Sequence, residues 1–422
     1  MLDSLPRSGE DSWMKTLTAA ENKLQLSPIA SPLAVLHCFG SFLNPTENWI
    51  FRMLSNFRQT ECWLATPKFL DGEFSLPGAR CLRSPLQPRL SPGKFRGGWQ
   101  RWLRAATTAT YPWYLRTKLR HQRIDVVHCH FAHIGWHYRT VARRLSAPLV
   151  ISFYGWDYVR LAQTDAAWGR RLAILFDEAA CFLCEGPHGA SLLRSQGCPN
   201  DKIHVAPLGV DVTSIPFTER SKHTGELKMV QVASFRDKKG HIDTINAFAD
   251  ALDSCPNMSL TFIGATDGPI QDSIKQVVNA RGIQKIVTLM PSIAPAALHA
   301  QLRDYQIFIH PSRHAEDGDC EGGAPVVLLD AQATGMPVIS TTHCDIPQEV
   351  IDGQTGLLSQ ERDVAGLSRA IQTFYAMDQS QYTTFAQAAR KHVEMRFDVR
   401  NCAAQVEAIY RELTTTPKTG HH

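Results

Sequence analysis

The sequence predicts an α/β protein built from two Rossmann-like, doubly wound parallel-sheet lobes. Its 422 residues exceed what one ordinary hydrophobic core organises and suit two domains. Short apolar runs of strand length alternate with helical stretches, which is the pattern of a parallel sheet. This alternation stops at a polar link over 213–226 and then restarts. Two such sheets facing each other would place their ligand-binding strand ends around one cleft.

We expect a polar leader over 1–28, a first lobe over 29–212, a second lobe over 227–395 and a C-terminal segment over 396–422. The strands expected in the first lobe are apolar runs at 32–39, 124–129, 149–153, 181–184 and 203–205. Those expected in the second lobe lie at 229–233, 259–263, 286–289, 307–310 and 337–340.

The composition is that of a globular protein, with 44% hydrophobic and 20% charged residues. No run of eighteen apolar residues occurs, and the first twenty-five residues carry charges throughout, unlike a secretory signal. We therefore expect a cytoplasmic location. The eleven cysteines have no regular spacing and are expected to be reduced and packed, and the lone Cys181-x-x-Cys184 pair is weak evidence for zinc or redox chemistry. A net charge of +4 is too small to indicate nucleic acid as a partner.

A short helix is predicted in the most informative stretch of the chain, which runs from Glu321 to Ser340. Pro325 suits the first helical position, and Gly335 suits a left-handed stop. Pro337 then prevents continuation. The helix is expected from about Pro325 to Thr334.

An anion site is predicted at the start of this helix. Backbone N–H groups are unpaired in a first helical turn, and Gly322 and Gly323 carry no Cβ, so a diphosphate could approach them closely. Glu321 and Asp330 flank the position. The alternative is a glycine-rich turn ahead of an ordinary core helix, since isolated glycine patterns occur by chance.

The same stretch resembles the donor-site signature of the group 1, or family 4, retaining glycosyltransferases of the GT-B fold. In that family a Glu, seven residues and a second Glu recur, whereas Glu321 and Asp330 enclose eight residues and the second acid is Asp. The resemblance implies that Glu321 holds the donor sugar and that Asp330 accepts from the nucleotide ribose. The positions that it implies for binding the rest of the donor lie between these acids: Gly322, Gly323, Ala324 and Val326.

A turn rich in cationic residues follows the first strand of the second lobe. The family carries Gly-Arg and then Lys-Gly here, but aligning on Lys239 and Gly240 places Ala233-Ser234 where the Gly-Arg would be. Arg236 lies two positions later, and we expect it to meet the diphosphate together with Lys239. The alternative is that both are surface charges in a loop.

Two strand ends of the first lobe carry polar residues that resemble the family's acceptor-side segments. His128 and His130 lie in a His-x-His-Phe segment, and Tyr154 and Asp157 lie in Phe-Tyr-Gly-x-Asp, where the family has a sugar-contacting histidine at the tyrosine. The resemblance implies that Tyr154 and Asp157 contribute to the catalytic site. The alternative for the histidines, with His133, is a metal-dependent hydrolase, but no further ordered ligand strands follow, and such histidines are more often packed.

The resemblance implies a retaining glycosyltransferase that moves a hexose from a nucleoside diphosphate sugar to a polysaccharide or lipid-linked oligosaccharide. The proton acceptor is then the departing diphosphate, and neither a metal nor a further cofactor is expected. Glu185-Gly-Pro and Phe-Tyr-Gly-x-Asp look most like exopolysaccharide, colanic-acid-type transferases. The alternatives are an epimerase or phosphorylase of the same fold, or a catalytically silent binding subunit.

The segment 94–123 is strongly basic and aromatic. It holds eight Lys or Arg residues and five Trp or Tyr residues, with no acid among them. This composition is typical of a segment that attaches to an anionic membrane surface. A solvated basic helix whose aromatic residues pack in the core is the alternative, and the sequence leaves both open.

Overall fold

The computed structural model describes residues 31–42, 47–69, 74–84, 98–264 and 268–415, with side chains described for all of these except 98–105 and 162. The polar leader expected over 1–28, and the start of the basic segment over 94–97, lie outside the described residues.

The first lobe is a seven-stranded parallel sheet in the order β3-β2-β1-β4-β5-β6-β7. Its central strands are buried on both faces because helices cover each side, which explains their nearly continuous apolar sequence. The strands are β1 (Leu33–Cys38), β2 (Thr60–Ala65), β3 (Arg80–Leu82), β4 (Val126–His130), β5 (Leu149–Ser152), β6 (Cys181–Cys184) and β7 (Ile203–Val205). The helices are α1 (Asn48–Asn56), α2 (Gly98–Lys118), α3 (Ala132–Leu145), α4 (Gly155–Thr164), α5 (Trp168–Glu178) and α6 (Pro187–Ser195).

The second lobe is a six-stranded parallel sheet in the order β10-β9-β8-β11-β12-β13. Its strands are β8 (Leu227–Val232), β9 (Met258–Gly264), β10 (Val287–Pro291), β11 (Ile307–His310), β12 (Val338–Thr341) and β13 (Gly356–Ser359). The helices that follow the linker are α7 (His241–Ala251), α8 (Pro269–Ala280), α9 (Leu298–Gln301), α10 (Val327–Ala333), α11 (Ile346–Glu349), α12 (Val364–Ala376), α13 (Gln379–Arg396) and α14 (Val399–Thr415).

These two sheets confirm the predicted fold class. In each, the strand order reverses beside the first strand, between β1 and β4 and between β8 and β11. Ligands of doubly wound sheets bind outside the carboxyl ends of the strands at this reversal. The loops after β4, β8 and β11 therefore lie where a ligand is expected.

The last helix, α14, packs on the first lobe after the chain has completed the second. Cys402, Val406 and Tyr410 are buried in one cluster with Val35 of β1 and Val126 of β4. The last described helix thus packs on the lobe that contains β1. No helix in the described ranges is both long and apolar enough to cross a bilayer.

The lobes touch through two glycines in the cleft. A Cβ built on Gly155, at the start of α4, would lie 2.1 Å from the backbone oxygen of Glu321. One built on Gly322, whose φ is 79°, would lie 2.1 Å from the Cα of Gly155. Only glycine permits this backbone approach, so the structure is a closed arrangement of the lobes.

Candidate functional site: a donor cleft between the lobes

Glu321 is the centre of the cleft and is almost fully buried. Its carboxylate is held by Lys239, whose Nζ lies 2.8 Å and 2.9 Å from the two oxygens. The hydroxyl of Ser312 donates to Oε1 at 2.8 Å. Burial opposes ionisation, but Lys239, His310 and Lys238 outweigh it and hold the pKa of Glu321 well below its usual value. The carboxylate is therefore charged and fixed in position.

The three basic residues of the cationic turn differ in their contacts. Lys239 pairs with Glu321, and Lys238 donates to the carbonyl of Cys320 at 2.7 Å and to Asp319 at 3.2 Å. Arg236 is exposed and forms no ion pair with any residue in the described ranges. The turn thus places Arg236 free for an incoming anion, while the two lysines hold the loop that carries Glu321.

A carboxyl group already lies at the glycine turn. The Oε2 atom of Glu185, from the end of β6, lies 1.9 Å from where a Cβ of Gly323 would be. The backbone N–H of Ala324 also bonds to the Glu185 carboxyl. Burial, and then the charge of Asp345, raise the pKa of Glu185 to about 8. The turn therefore donates a backbone N–H to a carboxylate of the protein itself, and binding of a diphosphate there is still a prediction.

The helix after this turn is shorter than predicted. We expected it to begin at Pro325, but α10 begins at Val327, because the first two turn bonds join residues three apart, from Leu328 N to Pro325 O and from Leu329 N to Val326 O. A helix of seven residues has a weak dipole. An anion at this position is therefore expected to bind mainly to the N–H groups of the glycine turn. The predicted stop is correct, since Gly335 has a φ of 78°.

Asp330 lies on α10 and is engaged by both lobes. Arg52 of α1 reaches it with two nitrogens, at 3.1 Å and 3.2 Å, and His299 lies 2.9 Å from Oδ1. Burial opposes ionisation of Asp330, but these partners lower its pKa below the usual value. A contact to ribose is still a prediction, and it would require sharing an oxygen with Arg52 or His299.

Tyr154 and Asp157 form the wall of the cleft on the first lobe. Asp157 accepts from the backbone N–H of Ala132 at 3.0 Å and of Tyr154 at 3.1 Å, and so ties together the loops after β4 and β5. Burial raises its pKa to about 8, against these two donors. The hydroxyl of Tyr154 lies 3.0 Å from Nδ1 of His130. Asp157 is thus placed to position the loop, and a direct contact of either residue with substrate is still a prediction.

The histidines of the first lobe form a hydrogen-bonded network. His128 bonds to the Tyr410 hydroxyl at 2.6 Å and to Ser152 at 2.8 Å, and His130 lies 3.3 Å from Nδ1 of His37. Burial lowers the pKa of His128 to about 3, so its ring is neutral. These bonds favour the packed interpretation over a hydrolase metal centre.

The basic segment is divided between core and surface. Tyr111 is buried, whereas the Trp113 side chain is 69% exposed. Arg116 and Lys118 in the last turn of α2, and Arg120 just after the helix, are also exposed. Part of the segment thus fits each of the two interpretations.

Sequence reasoning missed five side chains that complete the site. Ser312 and Lys238 had a signal, since Ser312 follows the end of β11 and Lys238 precedes a predicted site lysine. No sequence signal marked the site contacts of Arg52, His299 and Glu185, because their partners lie far along the chain and only the tertiary fold brings them together.

Two facing Rossmann-like lobes with a cleft between them are the architecture of the GT-B class of proteins. A family model described as "Glycosyl transferases group 1" matches residues 216–392, and one described as "Glycosyltransferase Family 4" matches residues 70–214. The chain belongs to the group 1 glycosyltransferases of the GT-B fold.

Two curated relatives are bacterial proteins named as biosynthetic glycosyltransferases. The chain is 33% identical over 233 residues to WcaL of Salmonella typhimurium, a glycosyltransferase assigned to colanic acid biosynthesis, covering 54% of each chain. It is 28% identical over 221 residues to the amylovoran biosynthesis glycosyltransferase AmsK of Erwinia amylovora, covering 52% of this chain and 53% of the relative. The chain thus spans about half the length of these relatives.

Solved structures share the fold over nearly the whole chain. Sucrose-phosphate synthase of Thermosynechococcus elongatus superposes with a TM-score of 0.70 at 18% identity, covering 91% of this chain and 99% of that one. HepE of Anabaena with UDP-glucose superposes with a TM-score of 0.67 at 14% identity, covering 90% and 100%. At these identities the likeness establishes the fold alone.

Proposed function

We propose that the protein is a retaining glycosyltransferase of exopolysaccharide synthesis, which moves a hexose from a nucleoside diphosphate sugar to a polysaccharide or lipid-linked oligosaccharide. The observation that carries the proposal is the buried, charged Glu321, fixed by Lys239 and Ser312 beside the glycine turn. A carboxylate held in this way suits sugar hydroxyls, and N–H groups next to it suit a diphosphate.

The reaction needs little from the protein beyond alignment and charge. As the glycosidic bond to the diphosphate breaks, negative charge grows on the departing oxygen. Arg236 and the N–H groups of Gly323 and Ala324 would stabilise that charge, and the departing oxygen would accept the acceptor's proton. Glu321 would hold the donor sugar in line with the acceptor hydroxyl.

Glu321→Gln tests the central assignment. The substitution keeps the shape but removes the charge, so we expect transfer to fall far more than nucleotide affinity. A donor panel beginning with UDP-glucose, the ligand of the HepE structure, would be read by calorimetry and by product formation. The matched control is Glu316→Gln, since Glu316 is an exposed acid of the same loop. Equal losses of transfer and affinity would move the sugar-binding role to Asp317 or Asp319.

The alternatives give different outcomes with the same protein. An epimerase would act without acceptor, a phosphorylase would need only phosphate and glycan, and a silent subunit would bind donor without turnover. Retention of configuration is tested in a separate experiment. Nuclear magnetic resonance gives the anomeric configuration of the product, which is compared with that of the donor.

We also propose that donor binding needs no divalent metal, because Arg236 and the turn would supply the charge that Mg²⁺ supplies elsewhere. Binding measured after chelation tests this. Recovery of lost binding with Mg²⁺ or Mn²⁺ would refute it.

We propose that the acceptor side attaches to the cytoplasmic face of an anionic membrane through the basic segment. The exposed Trp113 and the cations after it support this. Co-sedimentation should occur with anionic but not neutral vesicles and weaken at high salt, where the Debye length falls from about 10 Å to about 3 Å. Arg116→Gln with Lys118→Gln should reduce it. Indifference to lipid charge would favour a soluble glycan acceptor.

A further inference from the structure

A cluster of sulfur and nitrogen ligands lies beside the donor loop. His314 and Cys320 belong to the loop after β11, and Cys344 follows β12. One ligand atom from each of these three side chains lies within 4.8 Å of the other two. The proposed glycosyl transfer uses none of the three side chains.

The surroundings of the cluster are those of a built site. Cys344 has a φ of 48°, a left-handed conformation that a non-glycine residue rarely adopts without a constraint. Its sulfur lies 3.2 Å from Nε2 of His343. Glu361 bonds to Nδ1 of His343 at 2.6 Å and to Nδ1 of His314 at 3.0 Å. A carboxylate that orients imidazoles beside a ligand set is the usual outer shell of a protein metal site.

We propose that His314, Cys320 and Cys344 bind a soft divalent metal ion of the zinc type, with a fourth position open to solvent. Two sulfurs and one imidazole select Zn²⁺ over Mg²⁺ or Ca²⁺, which prefer oxygen ligands. Metal–ligand bonds of zinc would place the three atoms about 3.4–3.8 Å apart, so the side chains need to contract by only about 1 Å. His314 is 52% exposed, which gives the ion a path to the otherwise buried Cys320.

Such an ion would brace the donor loop. Cys320 directly precedes Glu321, and the N–H of Asp345, next to Cys344, donates to the carbonyl of Gly323 at 3.1 Å. Metal ligation would add a second link between the same two segments. The ion is structural and lies outside the proposed chemistry, so the inference does not depend on the glycosyltransferase assignment.

Cobalt titration of the full chain tests the site. The protein is stripped with chelator, transferred to a phosphine reductant and titrated with Co²⁺. We expect one equivalent to bind, with a thiolate-to-cobalt charge-transfer band and the intense visible bands of tetrahedral cobalt, and Zn²⁺ to displace it. Thermal melting with and without Zn²⁺ provides a second readout, because binding to the folded state alone raises the melting temperature.

Variants locate the ion. Cys320→Ser and Cys344→Ser should each abolish the charge-transfer band, whereas Cys81→Ser, which changes an exposed thiol, should leave it intact. Because a buried cysteine variant can fail to fold, His314→Gln is added, and it should weaken cobalt binding at least about tenfold while the fold persists. Cobalt bound without a thiolate band would overturn the proposal, because it would place the ion at one of the two clusters that lack sulfur, either His37, His128 and His130 or His314, His343 and Glu361. So would a band that survives Cys320→Ser, or a reduced protein that binds no cobalt.

Discussion

Replacing Glu185 by Gln should stabilise the protein increasingly as the pH rises. Glu185 is half-buried at the lobe contact, facing Asp345, Glu321 and Lys238. Burial raises its folded pKa from 4.5 to about 8. A raised pKa contributes stability that is fully present below pH 4.5 and is lost as the pH climbs toward 8. Gln can still accept from the N–H of Ala324 but never ionises, so the variant escapes this loss.

The size of the effect follows from the pKa difference. Each pH unit in this window costs the wild type about 1.4 kcal/mol, so Gln should gain up to about 3 kcal/mol more at pH 7.5 than at pH 5.5. Urea titrations at the two pH values measure this difference. Glu316→Gln, an exposed control, should behave alike at both.

An equal effect of Glu185→Gln at both pH values would refute the burial argument. If ionised Glu185 instead parts the lobes without unfolding them, the wild type should expand at pH 7.5 in small-angle scattering. The variant should then stay compact.

Three further substitutions separate the effect of lobe closure from the effect of charge. Gly155→Ala should separate the two lobes at their contact by at least about 1 Å, because its Cβ would lie 2.1 Å from the Glu321 backbone oxygen. Hydrogen exchange at 320–323 should then rise, and glycosyl transfer should fall. The control Gly169→Ala, whose Cβ would meet open space, should change neither. Arg236→Ala and Lys239→Ala should each weaken nucleoside diphosphate binding in calorimetry by roughly 1.5–3 kcal/mol. Only Lys239→Ala should also lower the melting temperature, because it leaves Glu321 without its closest cation; normal binding by Arg236→Ala would move the role to Lys238.

The fold could be predicted from the sequence because strands of a parallel sheet that is buried on both faces consist of nearly continuous apolar residues. The runs at β1, β4, β5 and β11 are of this kind and were found. Three outer strands, β2, β3 and β13, were not predicted. Strand β2 begins with half-buried Thr60 and Glu61, and β3 has only three residues, two of them exposed. Outer strands lack the double-sided burial that gives the signal.

The site was predictable only where one segment carries it. Glu321 and the glycine turn are adjacent in sequence, so local chemistry was enough to predict an anion site, and the structure places the Glu185 carboxyl at that turn. The ion pair of Asp330 with Arg52 joins residues that are 278 positions apart in the sequence, so no local pattern predicts it. The start of α10 at Val327 depends on the tight turn bonds that precede it, which helix signals do not distinguish from a regular first turn.

The closed structure has a consequence for how a donor enters. Glu321 is neutralised by Lys239, Asp330 by Arg52, and the glycine turn is occupied by the Glu185 carboxyl. Each of these three groups therefore has an intramolecular partner, whereas Arg236 is exposed and forms no ion pair with the described residues. A nucleoside diphosphate must displace Glu185 and compete for these cations, and only its differential affinity for the open and closed states can drive that exchange. Since Glu185 and Arg52 both come from the first lobe, donor entry and lobe opening should be one coupled step.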